Sequence, residues 1–307
     1  MVAQKNLKIS LYKLPDSNYI HKTFKEVCRK LEIKPSQEDL ERLVVYDMTD
    51  GMRTTTKLIG ADSYFDGAIF VLKLGHILKE LGSKCLYTNV AEEKHAQRKN
   101  WPDILAALKR CPRIYENYAM ENDVRLIFLG DYRKMDPSGD LGREIDMLME
   151  KTANNKSFTS VYLLGYSPEW AELNRELWEG LPEITVTIRH AKLRFSTGMQ
   201  LPPEKSENTE FVYVQQGSAD STWKDYQKIC LAGIALRSML INELGTQYWK
   251  EYTRKEAEMI RRLREEELYY RRFYLFEPHP YCGFTKYPPL TKRAIIGSPF
   301  GPEEILF

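Results

Sequence analysis

In this 307-residue chain, the residues best suited to chemistry stand where apolar runs end. Tyr46 to Arg53 reads YDMTDGMR: a β-type run gives way to Asp50-Gly51, and Arg53 stands three residues after the aspartate. A carboxylate at the carboxyl end of a strand can hold a divalent cation, glycine allows close backbone approach, and arginine can fork onto phosphate oxygens. The theme recurs where Val124 to Leu129 runs into Gly130-Asp131-Tyr132-Arg133-Lys134. It recurs again where Ile184 to Ile188 leads through Arg189-His190-Ala191-Lys192 to Arg194-Phe195-Ser196-Thr197. Converging on one sheet edge, the three segments would form an anion cradle suited to a diphosphate rather than a polymer. Taken singly they are less telling, because Asp-Gly is a common turn and scattered arginines are ordinary surface residues. Of the histidines, His76 lies in an apolar helical run and reads as packed, while His190 suits a phosphate contact and a structural filler equally.

The elements that would carry these segments are legible as alternation. Runs rich in β-branched and aromatic residues occur at 42–48, 84–90, 124–129, 159–164, 184–188 and 210–214. Between them, helical periodicity spans 64–81, where Ile69, Leu72, Ile77 and Leu81 share a face and Gly82 is placed to end the helix, and further helices are expected at 103–110, 141–151 and 168–179. Strand-helix alternation predicts an α/β chain with a central, mostly parallel six-stranded sheet flanked by helices. From Thr222 the pattern turns helical. Ile229, Leu231, Ile234, Leu236, Met239, Leu240 and Leu244 support one helix, Gly245 interrupts, and Thr246 to Phe276 reads as a long helix dense in Glu and Arg, followed by a Pro-rich tail. The expected organisation is an extension over 1–40, the α/β core over 41–225, and C-terminal helices with the tail over 226–307. A helix of that length must cover its apolar stripe of Met259, Ile260 and Leu263. A homodimer through it is expected, with a lid over its own subunit as the competing arrangement. The aromatics Tyr269, Tyr270, Phe273, Tyr274 and Phe276 beside Arg271 and Arg272 leave membrane-surface contact as a minor reading.

Composition excludes several classes. Forty-five Lys plus Arg against forty-three Asp plus Glu give a net charge of +2, so no global basic field favours nucleic acid. The most apolar stretch, Ala68 to Leu81, is broken by Lys73, His76, Lys79 and Glu80, and no transmembrane helix is expected. Lys5, Lys8 and Lys13 have no apolar block behind them, so a cytoplasmic location is expected. Five widely spaced cysteines without a C-x-x-C pair read as reduced and structural. Neither an aspartate-rich D-D-x-x-D, a Walker A pattern nor a G-x-S-x-G occurs.

In order and spacing, these pieces resemble the cis-prenyltransferase fold over roughly residues 42–225. The matching segments are Asp50-Gly51-Met52-Arg53, the helix ending in Leu81-Gly82, Arg125 through Gly130-Asp131, Thr152-Ala153-Asn154-Asn155, and Ile188-Arg189 through Arg194-Phe195-Ser196. Chain-elongating members carry Asp-Gly-Asn-x-Arg-Trp, where this chain has Met52 and Thr54 in place of the asparagine and tryptophan. Their His-x-x-Gly is replaced by Tyr64-Phe65-Asp66-Gly67, and their Arg-Thr-Gly-Gly-Glu by Arg189-His190-Ala191-Lys192 without the glutamate. The chain is more similar to the divergent tuberculosinyl-adenosine synthase type of terpene synthase, through Gly130-Asp131-Tyr132-Arg133-Lys134 with Pro137 and, above all, Arg194-Phe195-Ser196-Thr197.

That resemblance implies an enzyme that ionises an allylic prenyl diphosphate with Mg²⁺, the cation being quenched by water, another nucleophile or proton loss. Asp50 would hold the metal, and Gly51, Arg53, Arg133, Arg189, Arg194 and Ser196 the diphosphate. Tyr64 and Asp66, at the mouth of the apolar helix, would guide the quenching step or take a final proton. For Asp66 the plain alternative is a carboxylate favoured by the helix N-terminus. The competing functions are a chain-elongating synthase using isopentenyl diphosphate and a noncatalytic prenyl-binding subunit, against which the retained Asp50 and Arg53 argue.

Overall fold

The computed structural model describes residues 13–31, 33–191, 200–214, 216–245, 253–255, 257–258, 293–298 and 301–306. Helix α1 (Ser17–Lys30) begins at Asp16, whose carboxylate accepts from the Asn18 and Tyr19 amides at 2.9 and 3.2 Å. The short α2 (Gln37–Arg42) opens with a reciprocal Ser36–Asp39 capping box and delivers the chain into β1 (Val44–Met48). After one turn of helix, α3 (Met52–Thr55), comes α4 (Ala61–Leu81), then β2 (Cys85–Glu92) and a 3-10 turn over Glu93–Gln97. There follow α5 (Trp101–Leu108), α6 (Pro112–Asn122), β3 (Val124–Leu129), α7 (Asp140–Thr152) and β4 (Phe158–Tyr166). Helix α8 (Pro168–Leu173), β5 (Val186–His190), α9 (Pro203–Ser206), β6 (Glu210–Val214) and α10 (Asp225–Gly245) complete the main body. A separate antiparallel hairpin joins β7 (Arg293–Ser298) to β8 (Gly301–Leu306).

The sheet is six-stranded and entirely parallel, in the order β3-β4-β2-β1-β5-β6, with helices on both faces. Strand β1 is therefore central, and its register sets Val45 beside Val186 and Met48 beside Arg189. Its five residues are all buried, as expected for a strand covered on both sides. One face is thickly covered. There α4, whose buried side chains extend around most of its circumference, and α10 both pack on the sheet, α4 toward β2 and α10 over β5 and β6, and α1 packs against the two helices. Ile20, Phe24 and Val27 of α1 belong to the same core as Ile229, Leu236 and Met239 of α10. The other face is covered more thinly, by Ala171 of α8 and by Trp178, Ile184 and Leu201 from the stretches that follow.

Several expectations shift. The helix expected over 168–179 stops at Leu173 and resumes as a 3-10 turn over Arg175–Trp178, Asn174 lying between with a non-helical backbone. Helices α1, α2 and α6 were not read from the sequence at all. The long helix expected over 246–276 with its aromatic cluster lies outside the described residues, apart from a few helical positions near Arg254, and of the tail only the β7–β8 hairpin is described. Among the described residues no helix is long and apolar enough to cross a membrane. Cys28, Cys85, Cys111 and Cys230 are buried and unbridged, and burial pushes the thiols of Cys28 and Cys230 up to about 11.

Candidate active site

Two turns are pressed together at the carboxyl end of β1. Gly51 has φ +80°, a conformation that a side chain disfavours, and a Cβ there would stand 2.6 Å from the Ala191 Cβ and 3.0 Å from the Gly217 Cα. Gly217 is equally tight: a Cβ on it would meet the Thr55 Oγ1 at 2.6 Å. Only at such proximity can Ser218 close a double link to Asp50. Its amide donates to the Asp50 carbonyl at 2.9 Å, and the Asp50 amide donates to the Ser218 hydroxyl at 3.0 Å. Thr54 and Thr55 donate their hydroxyls to the Gly51 carbonyl at 3.0 and 2.9 Å, which fixes α3 to the same turn.

The Asp50 carboxylate is thereby aimed. Oδ1 accepts from the Gly51 amide at 2.7 Å and Oδ2 from Arg189 Nη2 at 3.0 Å. The Asp50 side chain remains 25% exposed while that of Arg189 is 3% exposed, so the carboxylate is reachable and the guanidinium stands behind it. The Met48–Arg189 register on adjacent strands is what brings them together. Arg53, on α3, is exposed and has no ion pair among the described residues.

Beside this pair begins an apolar cavity of about 760 Å³, its open mouth included. Thr49 and Met52, which flank Asp50-Gly51, belong to its wall. It runs between the sheet, represented by Thr88 and Tyr162, and the helices, represented by Val71 and Tyr115. Gly67 of α4 makes room for the Met52 side chain, since a Cβ there would lie within bonding distance of its sulfur. Tyr64 also lines this cavity, and its hydroxyl accepts a hydrogen bond from the Asn100 amide nitrogen.

Asp66 is placed differently. It is buried, and both its oxygens accept from the Ser221 amide at 3.1 Å, with the Ser221 hydroxyl adding a third bond at 2.5 Å. Burial raises its pKa and these bonds oppose the rise. Ser221 reaches on to the Thr56 hydroxyl at 2.9 Å, so Asp66 ties α4 to the segment behind α3. The neighbouring Asp220 is clamped between Lys73 of α4 at 3.0 Å and Lys228 of α10 at 2.7 Å. These buried charges lock the 217–222 loop that grips Asp50.

The third expected member of the cradle is elsewhere. Strand β3 is at the edge of the sheet, with β4 and β2 between it and β1. Arg133 there is exposed and engages Asp146 of α7 through Nη2 at 2.8 Å and Nε at 3.1 Å. It also stacks over Tyr132 at 4.9 Å. The convergence of three strand ends is thus corrected to two, β1 and β5, because strand order rather than the likeness of the motifs decides who meets. His190 is likewise resolved toward the core. It is fully buried, with Nε2 2.8 Å from Asp47 Oδ1 and Nδ1 3.0 Å from the Gln216 carbonyl. Arg194 and Ser196 lie outside the described residues. After β2, burial and the nearby Arg98 charge push His95 down to about 4, and its neutral Nδ1 accepts from the Glu92 amide at 3.3 Å.

No group of three or more His, Cys, Asp or Glu forms a metal cage among the described residues. A single reachable carboxylate still fits Mg²⁺, which usually takes one or two protein carboxylates and completes its shell with water and substrate phosphates. Gly217 and Ser218 escaped the sequence reading. Their signal is a run of small residues just beyond the sixth strand, Gly217-Ser218-Ala219.

No family model matches this chain, and no curated protein matches it. Solved structures do. One is lavandulyl diphosphate synthase from Lavandula x intermedia in complex with dimethylallyl diphosphate, at 15% identity and a TM-score of 0.49, covering 64% of this chain and 96% of that one. Another is a probable undecaprenyl diphosphate synthase from Campylobacter jejuni, at 14% identity and a TM-score of 0.43, covering 56% of this chain and 85% of that one.

Proposed function

We propose that the chain is an enzyme that ionises an allylic prenyl diphosphate, of the terpene synthase and prenyltransferase kind. The observation that carries this reading is the junction of two opposite environments. A reachable carboxylate backed by a buried arginine stands at the end of β1, and an apolar cavity opens from the residues on either side of it. A diphosphate with an isoprenoid tail has that same division. Its head would rest against Arg189, the exposed Arg53 and the hydroxyl-rich α3 turn, and its tail would lie along Val71 and Tyr115. Arg189 is held in place before substrate arrives, so it stabilises the departing negative charge without having to reorganise. The cavity keeps water from the cation until a chosen quencher reaches it.

Asp50 would share a Mg²⁺ with the diphosphate oxygens, and that ion would neutralise charge on the leaving group. Tyr64, on the cavity wall, is placed to orient a nucleophile. Asp66 spends its oxygens on Ser221 and acts as a positioning residue for the mouth. Arg194 and Ser196 complete the diphosphate set in this reading, which also favours a homodimer, a cytoplasmic location, and the tuberculosinyl transferase branch over the elongating one.

The test is incubation of the purified full chain with Mg²⁺ and geranyl, farnesyl or geranylgeranyl diphosphate, each with and without labelled isopentenyl diphosphate. Mg²⁺-dependent release of inorganic diphosphate, without label in a longer product, is expected. Label in a longer chain would favour the elongating synthase. No release from any of the three would point to a noncatalytic prenyl-binding subunit.

A further inference from the structure

A second group of polar residues lies on the cavity side of the sheet, and the diphosphate site makes no use of it. Asp47 and His190 are both fully buried there. They lie on neighbouring strands, among the apolar residues packed under α4 and α10: the ring centroids of Phe70 and Trp223 are 5.4 and 5.8 Å from that of His190. Asp47 Oδ1 is bound to His190, but Oδ2 has no hydrogen-bond partner among the described residues. In the next strand Thr88 is the direct register partner of Asp47, so both side chains leave the sheet on the same face. The Thr88 hydroxyl also lacks a partner among the described residues, and Thr88 forms part of the cavity wall.

Two unpartnered polar groups on neighbouring strands are expensive in an apolar layer, because nothing there replaces the water each gave up. Structural duty does not account for them. The link from β1 through His190 to Gln216 uses Oδ1 and both ring nitrogens, and leaves Oδ2 and the threonine free. The Gln216 carbonyl can only accept, so His190 Nδ1 carries a proton. A single further proton is then shared between His190 Nε2 and Asp47 Oδ1. With that proton on the histidine, Asp47 is a carboxylate on the same sheet face as the neighbouring Thr88 hydroxyl, in the wall of a water-poor, apolar chamber. Negative charge so placed stabilises a cation inside the chamber strongly, because little solvent screens it.

We propose that Asp47, acting through Thr88, is the base that ends the reaction by removing a proton from the carbocation. This rests on the ionisation reading above. A C–H bond beside the cationic carbon breaks and its electron pair becomes the new C=C. Once a turn of the Thr88 side chain closes the hydrogen bond to Oδ2 that this structure leaves open, the proton passes to the Thr88 oxygen while the threonine's own proton passes to Asp47 Oδ2. The products are inorganic diphosphate, a hydrocarbon and a protonated Asp47, which returns its proton by the same hydroxyl when the chamber next admits water. His190 is the positioning residue: it holds Oδ1 and leaves Oδ2 available to the threonine.

The experiment reads how the cation is partitioned. Purified wild type, Asp47→Asn and Thr88→Val are given Mg²⁺ with farnesyl or geranylgeranyl diphosphate. Inorganic diphosphate, hydrocarbon and alcohol are quantified together. Wild type is expected to yield mainly hydrocarbon, and each variant to lower the hydrocarbon-to-alcohol ratio at least tenfold, whatever happens to the rate. A merely structural role would slow turnover or lower the melting temperature without moving that ratio. Thr88→Val, which keeps shape and deletes only the hydroxyl, carries the test even if Asp47→Asn fails to fold. An unchanged ratio in Thr88→Val overturns the proposal, and so does a wild type that releases diphosphate and yields only alcohol. A wild type that releases no diphosphate overturns the ionisation reading itself, which separates the two failures.

Discussion

Strand ends β1 and β3 carry nearly the same letters and came to different use. Each pairs an aspartate with a glycine and places an arginine shortly after: Asp50-Gly51 with Arg53, Gly130-Asp131 with Arg133. At β1 the aspartate meets a buried arginine from the adjoining strand, a tight glycine pair and an apolar cavity. At β3 the aspartate is paired with Lys134 and the arginine with Asp146, both on the surface. The difference is location. A central strand has neighbours on both sides that can add groups to its end, whereas an edge strand has one. In a parallel sheet the strand order, fixed by long crossovers, determines which motifs become sites.

The sharpest way to break this comparison is to remove the two aspartates in turn. Asp50→Ala is expected to lower Mg²⁺-dependent diphosphate release about a hundredfold or more with an unchanged circular dichroism spectrum, and Asp131→Ala to change it less than about threefold. Equal losses would mean that both ends serve the site. Next in size is Arg189→Ala, expected to cost about a hundredfold in kcat/KM, since one preorganised donor to a developing anion contributes about 3 kcal/mol. Arg133→Ala, its counterpart at the edge, should stay within about twofold, and thermal melting should register only the ~0–1 kcal/mol of an exposed ion pair.

Gly51→Ala probes how the central end is built. A positive φ and a Cβ 2.6 Å from that of Ala191 should lower unfolding stability by about 2 kcal/mol, measured by denaturant titration. A separate probe is a pH effect near the end of β2. His95 is held neutral in the folded protein down to about 4, against an ordinary 6.5. The unfolded chain binds that proton first. Stability due to His95 is therefore fully present above pH 6.5 and is lost as pH falls toward 4, and His95→Gln should flatten that part of the pH–stability curve.

Much of this was legible in the residues. The runs at 124–129 and 210–214 are strands to the residue, because β-branched and aromatic side chains in short bounded stretches leave little else to form. Asp50-Gly51 could be picked out because it follows a β-rich run and precedes an arginine, in an order shared with the other strand-end segments, although Asp-Gly alone is a common turn. What could not be read was relational. Arg189 and Arg133 have equal claims in the sequence, and the Met48–Arg189 register alone favours the first. Ser218 is a small polar residue in a loop, indistinguishable from many others until it bonds the Asp50 backbone. Helix α1 was hidden by its polar face, although Asp16 is a sound cap and Ile20, Phe24 and Val27 have helical spacing.

The strand order also governs when the site can exist. Asp50 emerges early in synthesis, but its arginine lies 139 residues later and its serine 168 residues later. At about 5–20 residues per second, translation separates the aspartate from that serine by roughly ten to thirty seconds. For most of that interval, until Val186–His190 has been made, β1 has no β5 beside it, and the strand edge that will join β5 is open to other chains. Pairing across such sequence distances is also slow to nucleate once the partners are present. The consequence is a fold whose reactive end is completed last, and nascent chains stalled before residue 189 should be captured by holdase chaperones far more than chains released at full length.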